Sequence, residues 1–113
     1  MSVEAKESAF VEFFGRSPFI LALDFFLMYP IFDYSKTQVA GEIGISRITM
    51  EKIWEILKER KIIVKTRQLG RAEMYQLNRE NPVVKNLMKF DFYLASVYFE
   101  EEIKEGKKSA VRV

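Results

Sequence analysis

The chain has 113 residues, 49% of them hydrophobic and 30% charged, which is typical of one compact globular domain. It contains no cysteine and no histidine, which excludes disulfides, thiol redox chemistry, the common zinc ligands and histidine-based catalysis. The longest apolar run, Pro18–Pro30, is interrupted by Asp24 and is too short to span a membrane. We therefore expect a single domain over residues 1–113 of a cytoplasmic protein, without enzymatic activity, metal, cofactor or membrane contact.

The first 30 residues predict two helices. The first spans Ser2–Phe14. Its C-terminal half carries three phenylalanines, Phe10, Phe13 and Phe14. Ser17 and Pro18 then form an N-cap followed by proline at the first helical position, so a second helix begins there. It runs to about Tyr29, and its apolar residues cover most of its circumference, which predicts nearly complete burial. The β-prone segment Phe32–Tyr34 predicts a strand of one or two residues.

Residues 35–60 predict two short helices around a Gly-Ile-Ser corner. Ser35 and Gln38 form a capping box at the start of the first helix. Gly44 is placed to end that helix, and Ser46 is placed to cap the second. The second helix has apolar residues at positions i, i+3, i+4 and i+7, namely Met50, Ile53, Trp54 and Leu57. Trp54 belongs to this stripe, so we expect it in the core rather than stacked on a nucleic-acid base. The pattern fits either a helix-turn-helix or an ordinary helical hairpin with a glycine corner.

Residues 62–77 predict a β-hairpin. Two segments of β-forming residues, Ile62–Arg67 and Ala72–Leu77, flank a turn that contains Gly70. Three basic residues lie close to the tip, Lys65, Arg67 and Arg71. A basic hairpin directly after a helix-turn-helix is typical of a wing that reaches phosphates or a minor groove. The same charges also fit an edge ribbon that uses them to prevent aggregation.

Positive charge is concentrated in one part of the sequence. Residues 44–79 contain nine basic and four acidic residues, a net charge of +5, whereas the rest of the chain has a net charge of −3. This asymmetry fits one face directed at a polyanion such as DNA, and an uneven solvated surface would give the same counts.

The C-terminal part predicts one long helix over residues 82–105, followed by a basic tail at 106–113. Asn81 and Pro82 form its start, and Gly106 its end. Its apolar residues form two stripes, one of Val83, Leu87, Phe90, Leu94 and Val97 and one of Val84, Met88, Phe92, Ala95 and Phe99. Packing within a monomer needs one stripe, so we expect a homodimer interface, with both stripes packed inside one chain as the alternative. The candidate interface residues are Phe10, Phe13, Phe14, Phe90, Leu94 and Val97.

Several motifs in order support a family resemblance: Phe14–Pro18, Phe32–Ser35, Ile45–Arg47, Leu69–Ala72, Tyr75–Asn78 and Asn81–Val84. Over residues 13–90 the chain resembles archaeal winged-helix transcriptional regulators, in the broad group that includes arsenic-sensor and multiple-antibiotic-resistance regulators. The resemblance implies an α+β, mainly α fold, namely a winged helix-turn-helix with a β-hairpin wing and a long C-terminal dimerisation helix. It also implies double-stranded DNA as the partner, bound by a homodimer at a near-palindromic operator.

The chain departs from that group in two ways, at the corner after the recognition helix and in the residues that would bind an effector. Lys61 stands where a turn glycine commonly follows the recognition helix, so we expect this corner to differ. The chain also lacks the cysteine and histidine residues that metal-sensing members use, so neither a metal nor a redox effector is expected. The sequence does not name another effector.

The DNA-binding hypothesis places the second helix of the pair in the major groove. Arg47 is the best candidate to read guanine through O6 and N7, and Ile48 is placed to meet a thymine methyl. Glu51 would accept from cytosine N4 or orient a neighbouring cation, unless it forms only a surface ion pair with Arg47. Exposed N–H groups at the start of the preceding helix favour a phosphate. The candidate DNA-binding residues are Ser35, Lys36, Thr37, Gln38, Ser46, Arg47, Ile48, Thr49, Glu51, Lys52, Lys65, Arg67 and Arg71. The alternative function is an architectural or protein–protein interaction module without sequence-specific DNA readout.

Overall fold

The structure, a computed structural model, describes the backbone of residues 7–112 and the side chains of residues 7–104. Its elements in chain order are α1 (Ala9–Phe14), α2 (Pro18–Met28), α3 (Lys36–Ile43), α4 (Arg47–Glu59), β1 (Ile63–Leu69), β2 (Ala72–Leu77) and α5 (Pro82–Arg112). Within the described residues, no helix combines the length and the apolar character that crossing a membrane requires.

Serine hydroxyls begin the first two helices. Ser8 and Ser17 each accept a hydrogen bond from the backbone N–H three residues further on, which satisfies a donor that the helix itself leaves free. The start of α2 at Pro18 is as predicted. The prediction that the first helix extends back to Ser2 is wrong for Glu7 and Ser8, because an N-cap residue has extended backbone. Residues 2–6 lie outside the described residues.

The two helices around the glycine corner form as predicted. Ser35 Oγ accepts from Gln38 N at 3.2 Å while Gln38 Oε1 accepts from Ser35 N at 2.8 Å, which completes the capping box of α3. Gly44 has a φ of 70°, a left-handed conformation that ends a helix at little cost in glycine. Ser46 caps α4 by accepting from Thr49 N at 3.2 Å. The helix-turn-helix therefore follows from local caps that the sequence already contains.

The corner after α4 keeps a left-handed conformation without a glycine. Lys61 has a φ of 56°, and no other non-glycine residue in the described part of the chain has a positive φ. Its N–H and that of Ile62 donate to the last carbonyls of α4 in the Schellman arrangement of helix ends. The side-chain amides of Asn78 and Asn81 each donate to Lys61 O at 3.0 Å. This corner therefore differs in residue type, as expected, while its φ remains in the left-handed range that favours glycine.

The strands β1 and β2 pair antiparallel in a two-stranded hairpin. The first strand begins at Ile63 and continues to Leu69, so the prediction that it stops at Arg67 is wrong. Leu69 pairs with Ala72, which leaves a turn of two residues. Gly70 has a φ of 59°, the positive value that the first residue of such a turn requires.

One strand of the hairpin contains a β-bulge, and the other pairs with the segment before α3. The register shifts between Lys65 and Arg67, so Thr66 is an extra residue in β1. Tyr34 and Tyr75 exchange two backbone hydrogen bonds of 2.8 Å in an isolated bridge, as the prediction of a very short strand required. The bridge attaches the start of the helix-turn-helix to β2.

A continuous apolar core joins α2, α3, α4, the hairpin and the start of α5. Trp54 is buried within it, and its ring centroid lies 5.8 Å from that of Phe26 and 5.5 Å from that of Tyr75. Aromatic pairs of this kind contribute roughly 0.5–1.5 kcal/mol beyond the burial of their area. Trp54 is therefore a core residue, as expected, and it holds α4 against both α2 and the hairpin.

The last helix is longer than predicted. Asn81 Oδ1 accepts from Val83 N at 2.9 Å and caps its start. The predicted end at Gly106 and the separate tail after it are wrong, because the helical backbone continues to Arg112. One glycine inside a helix costs only about 1 kcal/mol, which does not by itself end the helix. Val113 lies outside the described residues.

One apolar stripe of α5 packs within the chain. The ring of Phe90 lies 6.0 Å from those of Phe13 and Phe14, which belong to α1. Phe10 and Leu94 are only 1% and 5% exposed. These last two therefore expose almost no surface to a partner chain, and the homodimer interface as a whole stays a prediction.

The described elements form a winged helix-turn-helix. The fold is α+β and mainly α, with a two-stranded antiparallel hairpin as the wing and a long C-terminal helix. This is the predicted fold class. Its core presents the N-terminus of α4 and the tip of the hairpin beside the N-terminus of α3, where the candidate residues lie.

Candidate nucleic-acid interface

Two neighbouring crevices connect α3, α4 and the hairpin tip. The helix crevice is lined by Lys36, Thr37, Ala40, Gly41, Ile45, Arg47, Met50 and Glu51. The wing crevice is lined by Ser35, Lys36, Thr37, Trp54, Lys58, Gln68, Arg71, Ala72, Glu73 and Tyr75. Each has a volume of about 460 Å³. Lys36 and Thr37 line both crevices, so the two form one continuous surface around the N-terminus of α3.

The first turn of α4 contains two kinds of side chain. Ser46 and Thr49 serve the cap, since Ser46 Oγ accepts from Thr49 N at 3.2 Å and donates to Thr49 Oγ1 at 3.1 Å. Arg47, Ile48 and Lys52 are exposed, and Ile48 has 75% of its surface accessible. Neither Arg47 nor Lys52 pairs with an acid among the side chains that the structure describes. These three side chains are therefore available to a ligand in front of α4.

Glu51 is paired with Lys36 across the helix-turn-helix. The two side chains lie 15 residues apart in the sequence and come from α4 and α3. Glu51 therefore does not form the surface pair with Arg47 that four-residue spacing allows. The pair holds the Lys36 ammonium group where the two crevices meet and places a positive charge beside the acidic side chain of α4.

Two cations from different elements line the wing crevice in addition to Lys36. Arg71 lies at the hairpin tip and pairs with no acid among the described side chains. Lys58, from α4, has its Nζ 5.8 Å from the ring centroid of Tyr75 and 3.3 Å from Glu55 Oε2. The hydrogen bond to Glu55 raises the pKa of Lys58, so the ammonium stays charged. Sequence reasoning missed Lys58, and the available signal was its position four residues after Trp54 on the same helix face.

Arg67 is held by an acid at the base of the hairpin. Its Nε and Nη2 donate to Asp33 Oδ2 and Oδ1 at 2.8 and 3.2 Å, a bidentate ion pair. The hydroxyl of Thr66, the bulge residue, donates to the same carboxylate at 2.6 Å. The hydrogen bonds from Arg67 and then Thr66 lower the pKa of Asp33 to about 2. Asp33 was not among the predicted site residues, since it lies 34 positions before Arg67.

Lys65 is engaged within the hairpin as well. Its Nζ lies 3.0 Å from Gln68 Oε1 and 3.4 Å from Glu73 Oε2. Neither Lys65 nor Arg67 lines the helix crevice or the wing crevice. The structure therefore brings Arg71 to the candidate surface and leaves the other two predicted wing cations beside partners of their own.

The remaining predicted site residues belong either to the capping box of α3 or to the predicted dimer interface. The side chains of Ser35 and Gln38 are used in the capping box. Phe13 and Phe14 are exposed while Phe90 and Val97 are half-buried. Between residues 7 and 104, no group of three or more acidic side chains is arranged to hold a metal ion.

No protein-family model matches the chain, and no curated protein matches it. Solved structures of similar fold include a possible transcriptional regulator from Methanosarcina mazei, with 15% identity and a TM-score of 0.55 over 80% of this chain and 78% of that one. An apo mutant of Lactococcus lactis ZitR has 18% identity and a TM-score of 0.61, covering 81% of this chain and 74% of its own. Another ZitR mutant, in complex with DNA, has 18% identity and a TM-score of 0.53, covering 81% and 71%.

Identities this low show a shared fold. The shared part covers about four fifths of this chain, and the corresponding proteins are described as a possible transcriptional regulator and as ZitR. The winged helix-turn-helix derived from the sequence and seen in the structure is therefore the fold of these structures too.

Proposed function

We propose that this chain is a sequence-specific, double-stranded DNA-binding transcriptional regulator that acts as a homodimer. In this proposal residues 1–113 form one domain, α4 lies in the major groove, and the hairpin contacts the backbone. The observation that carries the proposal is the first turn of α4, where Arg47, Ile48 and Lys52 are exposed beside two crevices bordered by cations. This combination of exposed base-reading and phosphate-binding chemistry is what a recognition helix needs.

The residues at the start of α4 divide the readout between them. The Arg47 guanidinium can donate to both O6 and N7 of a guanine, and the exposed Ile48 side chain suits a thymine methyl. Glu51 is bound to Lys36, so its role is to position that cation rather than to accept from cytosine. Lys52 is one turn further along and suits a phosphate or a second base.

Backbone contacts come from the surface around α3. Lys36 and Thr37 lie at the N-terminus of α3, where the helix dipole and free N–H groups favour an anion. Lys58 and Arg71 add two positive charges on the other walls of the wing crevice. A phosphate that enters this crevice would meet positive charge from three elements.

The structural neighbours support the same function by analogy. One is described as a possible regulator of archaeal origin, and ZitR has been seen in complex with DNA. We propose that this chain belongs with the archaeal winged-helix regulators that its motifs resemble, and that it acts inside the cell and without catalytic activity.

Acidic side chains on α4 are the main argument for the alternative, an architectural or protein-binding module. Glu51 and Glu55 lie on the helix that would face DNA. Each is paired, Glu51 with Lys36 and Glu55 with Lys58, so neither presents an uncompensated negative charge. The pairing favours the DNA-binding function over the alternative.

A salt titration tests the proposal. Binding of labelled duplex DNA is measured by fluorescence anisotropy between about 50 and 200 mM salt, first with a genomic pool and then with selected fragments. We expect a linear fall of log affinity with log salt, at about 0.9 per phosphate contacted. A selected operator should bind at least about 10³-fold more tightly than random sequence.

The outcomes separate the candidate functions. No detectable binding, or binding without a salt slope, would contradict the DNA-binding function. Salt-dependent binding without sequence preference would favour the architectural alternative. Lys104→Ala is the control for charge, because it removes one exposed cation from α5 without touching either crevice.

A further inference from the structure

The segment Met28–Phe32 between α2 and α3 is a run of large exposed apolar side chains, which we call the apolar run. Met28 and Tyr29 lie at the end of α2 and are exposed. Ile31 and Phe32 follow, with 59% and 56% of their surfaces accessible. Consecutive exposed apolar residues are rare on a surface that contacts only water. The apolar run is therefore a candidate interaction surface.

The apolar surface continues onto the hairpin. Gln76 of β2 donates from Nε2 to the backbone oxygen of Pro30 at 3.3 Å, so the hairpin touches the apolar run. Gln76 pairs with Val64 of β1, and directly opposite residues of two strands point to the same face of a hairpin. Val64 is exposed as well. It therefore lies on the hairpin face that meets the apolar run.

A crevice of about 290 Å³ adjoins the apolar run, and Met28 and Tyr29 line it. One wall is a face of α2 on which Leu21, Phe25 and Met28 recur at helical spacing. Ile43 of α3 adds a further apolar side chain. These residues make part of the crevice apolar, so it suits a ligand group that has an apolar part of its own.

The charged side chains that line this crevice are mostly acidic, so we call it the acidic crevice. They are the acids Glu7, Asp24 and Glu42 and one base, Arg16. Arg16 pairs with Glu7. Neither Asp24 nor Glu42 forms an ion pair with another described side chain. Three carboxylates against one guanidinium leave an excess of two negative charges.

Asp24 is the acid that a bound cation would affect most. It is half-buried, and its Oδ1 accepts a hydrogen bond from Ser8 Oγ at 2.7 Å. Burial raises the pKa of Asp24 above its usual value, because the carboxylate loses contact with water there. A cation in the crevice would stabilise the charged carboxylate and lower that pKa. The crevice therefore favours a positively charged group.

A lysine or arginine side chain has the chemistry of both parts of the acidic crevice. Its hydrocarbon stem packs on apolar walls while its charged end stays with polar groups. The volume of the crevice is at the small end for a small-molecule site, which suits a single side chain. The acidic residues repel DNA and anionic lipid, so the cation that fits here belongs to a protein.

We propose that the acidic crevice and the apolar run bind a short segment of another protein, in which a lysine or arginine is flanked by large apolar residues. The cation enters the crevice beside Asp24 and Glu42, and the apolar residues cover Ile31 and Phe32. The acidic crevice shares no lining residue with the helix crevice or the wing crevice, so this inference does not rest on the DNA-binding function.

Selection from a library of random short peptides displayed on phage is the first test. The full chain is immobilised, and the peptides that the wild type binds are compared with those that the Phe32→Ser variant binds. We expect the wild type to enrich peptides with a lysine or arginine next to large apolar residues, and Phe32→Ser to lose this enrichment. No enrichment, or enrichment of peptides without a cation, would overturn the proposal.

The affinity of one enriched peptide, measured by fluorescence anisotropy, tests the apolar run. Phe32→Ser should raise the Kd by at least about tenfold, because a buried aromatic contact is lost. Phe92→Ser is the matched control, since Phe92 is an exposed phenylalanine of α5 that lies outside the apolar run and the acidic crevice. It should bind the peptide as the wild type does, and circular dichroism should show that both variants keep their helices. Should Phe32→Ser not fold, Ile31→Ser provides the same comparison. An equal loss of affinity in the two phenylalanine variants would contradict binding at the apolar run.

A double-mutant cycle tests the acidic crevice. Glu42→Gln should weaken binding of the peptide about threefold, and the loss should disappear for a peptide whose cation is replaced by methionine. Glu12→Gln is the control, because Glu12 is an exposed acid of α1 that does not line the crevice. Equal effects of the two substitutions, or an equal loss with both peptides, would exclude the crevice as the site of the cation.

Other occupants of this face would give different results. If Phe32→Ser slowed the sedimentation of the chain and no peptide was enriched, the face would bind a second copy and the proposal would fail. Binding to phosphatidylcholine vesicles that Phe32→Ser abolishes, again without enriched peptides, would indicate a lipid surface and overturn it too. Binding of duplex DNA is measured separately, so the failure of either function is visible while the other stands.

Discussion

Arg67 and Arg71 lie four residues apart on one hairpin, yet their guanidinium groups have different neighbours. Arg67 is held by Asp33 through two hydrogen bonds at the hairpin base. Arg71 lies at the tip, lines the wing crevice and has no acidic partner among the described side chains. The two residues contribute the same charge to the sequence, but only Arg71 can meet a phosphate without first losing a partner.

The same distinction applies across the candidate surface. Lys36 and Lys65 are paired with acids, whereas Arg47 and Lys52 at the start of α4 are not. A cation that already has a partner exchanges one ion pair for another when DNA binds, so its net contribution to affinity is small. The number of basic residues therefore overstates the number of strong contacts, and we expect the unpaired cations to contribute most of the affinity for DNA.

Arg47 should give the largest effect. Its replacement by alanine is expected to cost about 1–3 kcal/mol of binding to the selected operator and to relax the preference at one base pair. Competition anisotropy with operator variants measures both quantities. Lys104→Ala, with the same loss of charge, should change neither by a comparable amount. An unchanged base preference in Arg47→Ala would contradict a base-reading role.

Arg71 and Arg67 should differ when each is replaced by alanine. Arg71→Ala is expected to weaken binding to all sequences by about fivefold at about 0.15 M salt and to reduce the salt slope by about 0.9. Arg67→Ala should have a much smaller effect on the slope, because its charge is already engaged with Asp33. The paired salt titrations of these variants provide the measurement. Equal losses of affinity would mean that net charge alone matters and that the pairing of Arg67 with Asp33 makes no difference to DNA binding.

The outcome of that experiment depends on a contact that sequence reasoning could not find. Caps are local, so Ser35, Gln38, Gly44 and Ser46 predict two short helices and the corner between them from spacing alone. Asp33 meets Arg67 across 34 residues, and the meeting depends on the bulge that turns β1. No residue spacing encodes it.

Periodicity has a similar limit in α5. It identifies two apolar stripes, but the packing of the rest of the chain decides which residues of each stripe are covered, and Leu94 is buried. The end of this helix was also missed, because a lone glycine is a weak stop signal. Local signals therefore predicted the elements and the fold class. Which side chains are free to contact a ligand or a partner is seen only in the tertiary structure.

Replacing Asp33 should release Arg67, the cation with which it is paired. Asp33→Asn should free Arg67, raise affinity for all DNA sequences by up to about fivefold at about 0.15 M salt and steepen the salt slope by up to about 0.9. The substitution should have no such effect in an Arg67→Ala background, which a double-mutant cycle would show. An equal gain of affinity in both backgrounds would mean that Asp33 acts on DNA through its own charge.

The effect of Asp33→Asn on thermal stability should depend on pH. The folded-state pKa of Asp33 is lowered to about 2 from 3.8, so the ion pair stabilises the fold fully above the unfolded value and loses this effect as the pH falls through about 2. The thermal stability of Asp33→Asn should therefore be lower than that of the wild type at neutral pH, and the two should converge between pH 4 and pH 2. Melting curves by circular dichroism measure the difference. A gap that stays constant over this range would exclude the ion pair as its cause.

Lys61 should give the smallest effect on DNA binding, because backbone conformation rather than a partner charge fixes its place. Its φ of 56° is unfavourable for a residue with a Cβ, and the carbonyl is held by Asn78 and Asn81. Lys61→Gly should raise the free energy of unfolding by about 0.5–1 kcal/mol, as measured by urea denaturation. Lys61→Ala keeps the Cβ and removes the same charge, so it should lack this gain while binding DNA as the glycine variant does. Equal stability of the two variants would mean that the left-handed corner carries no strain.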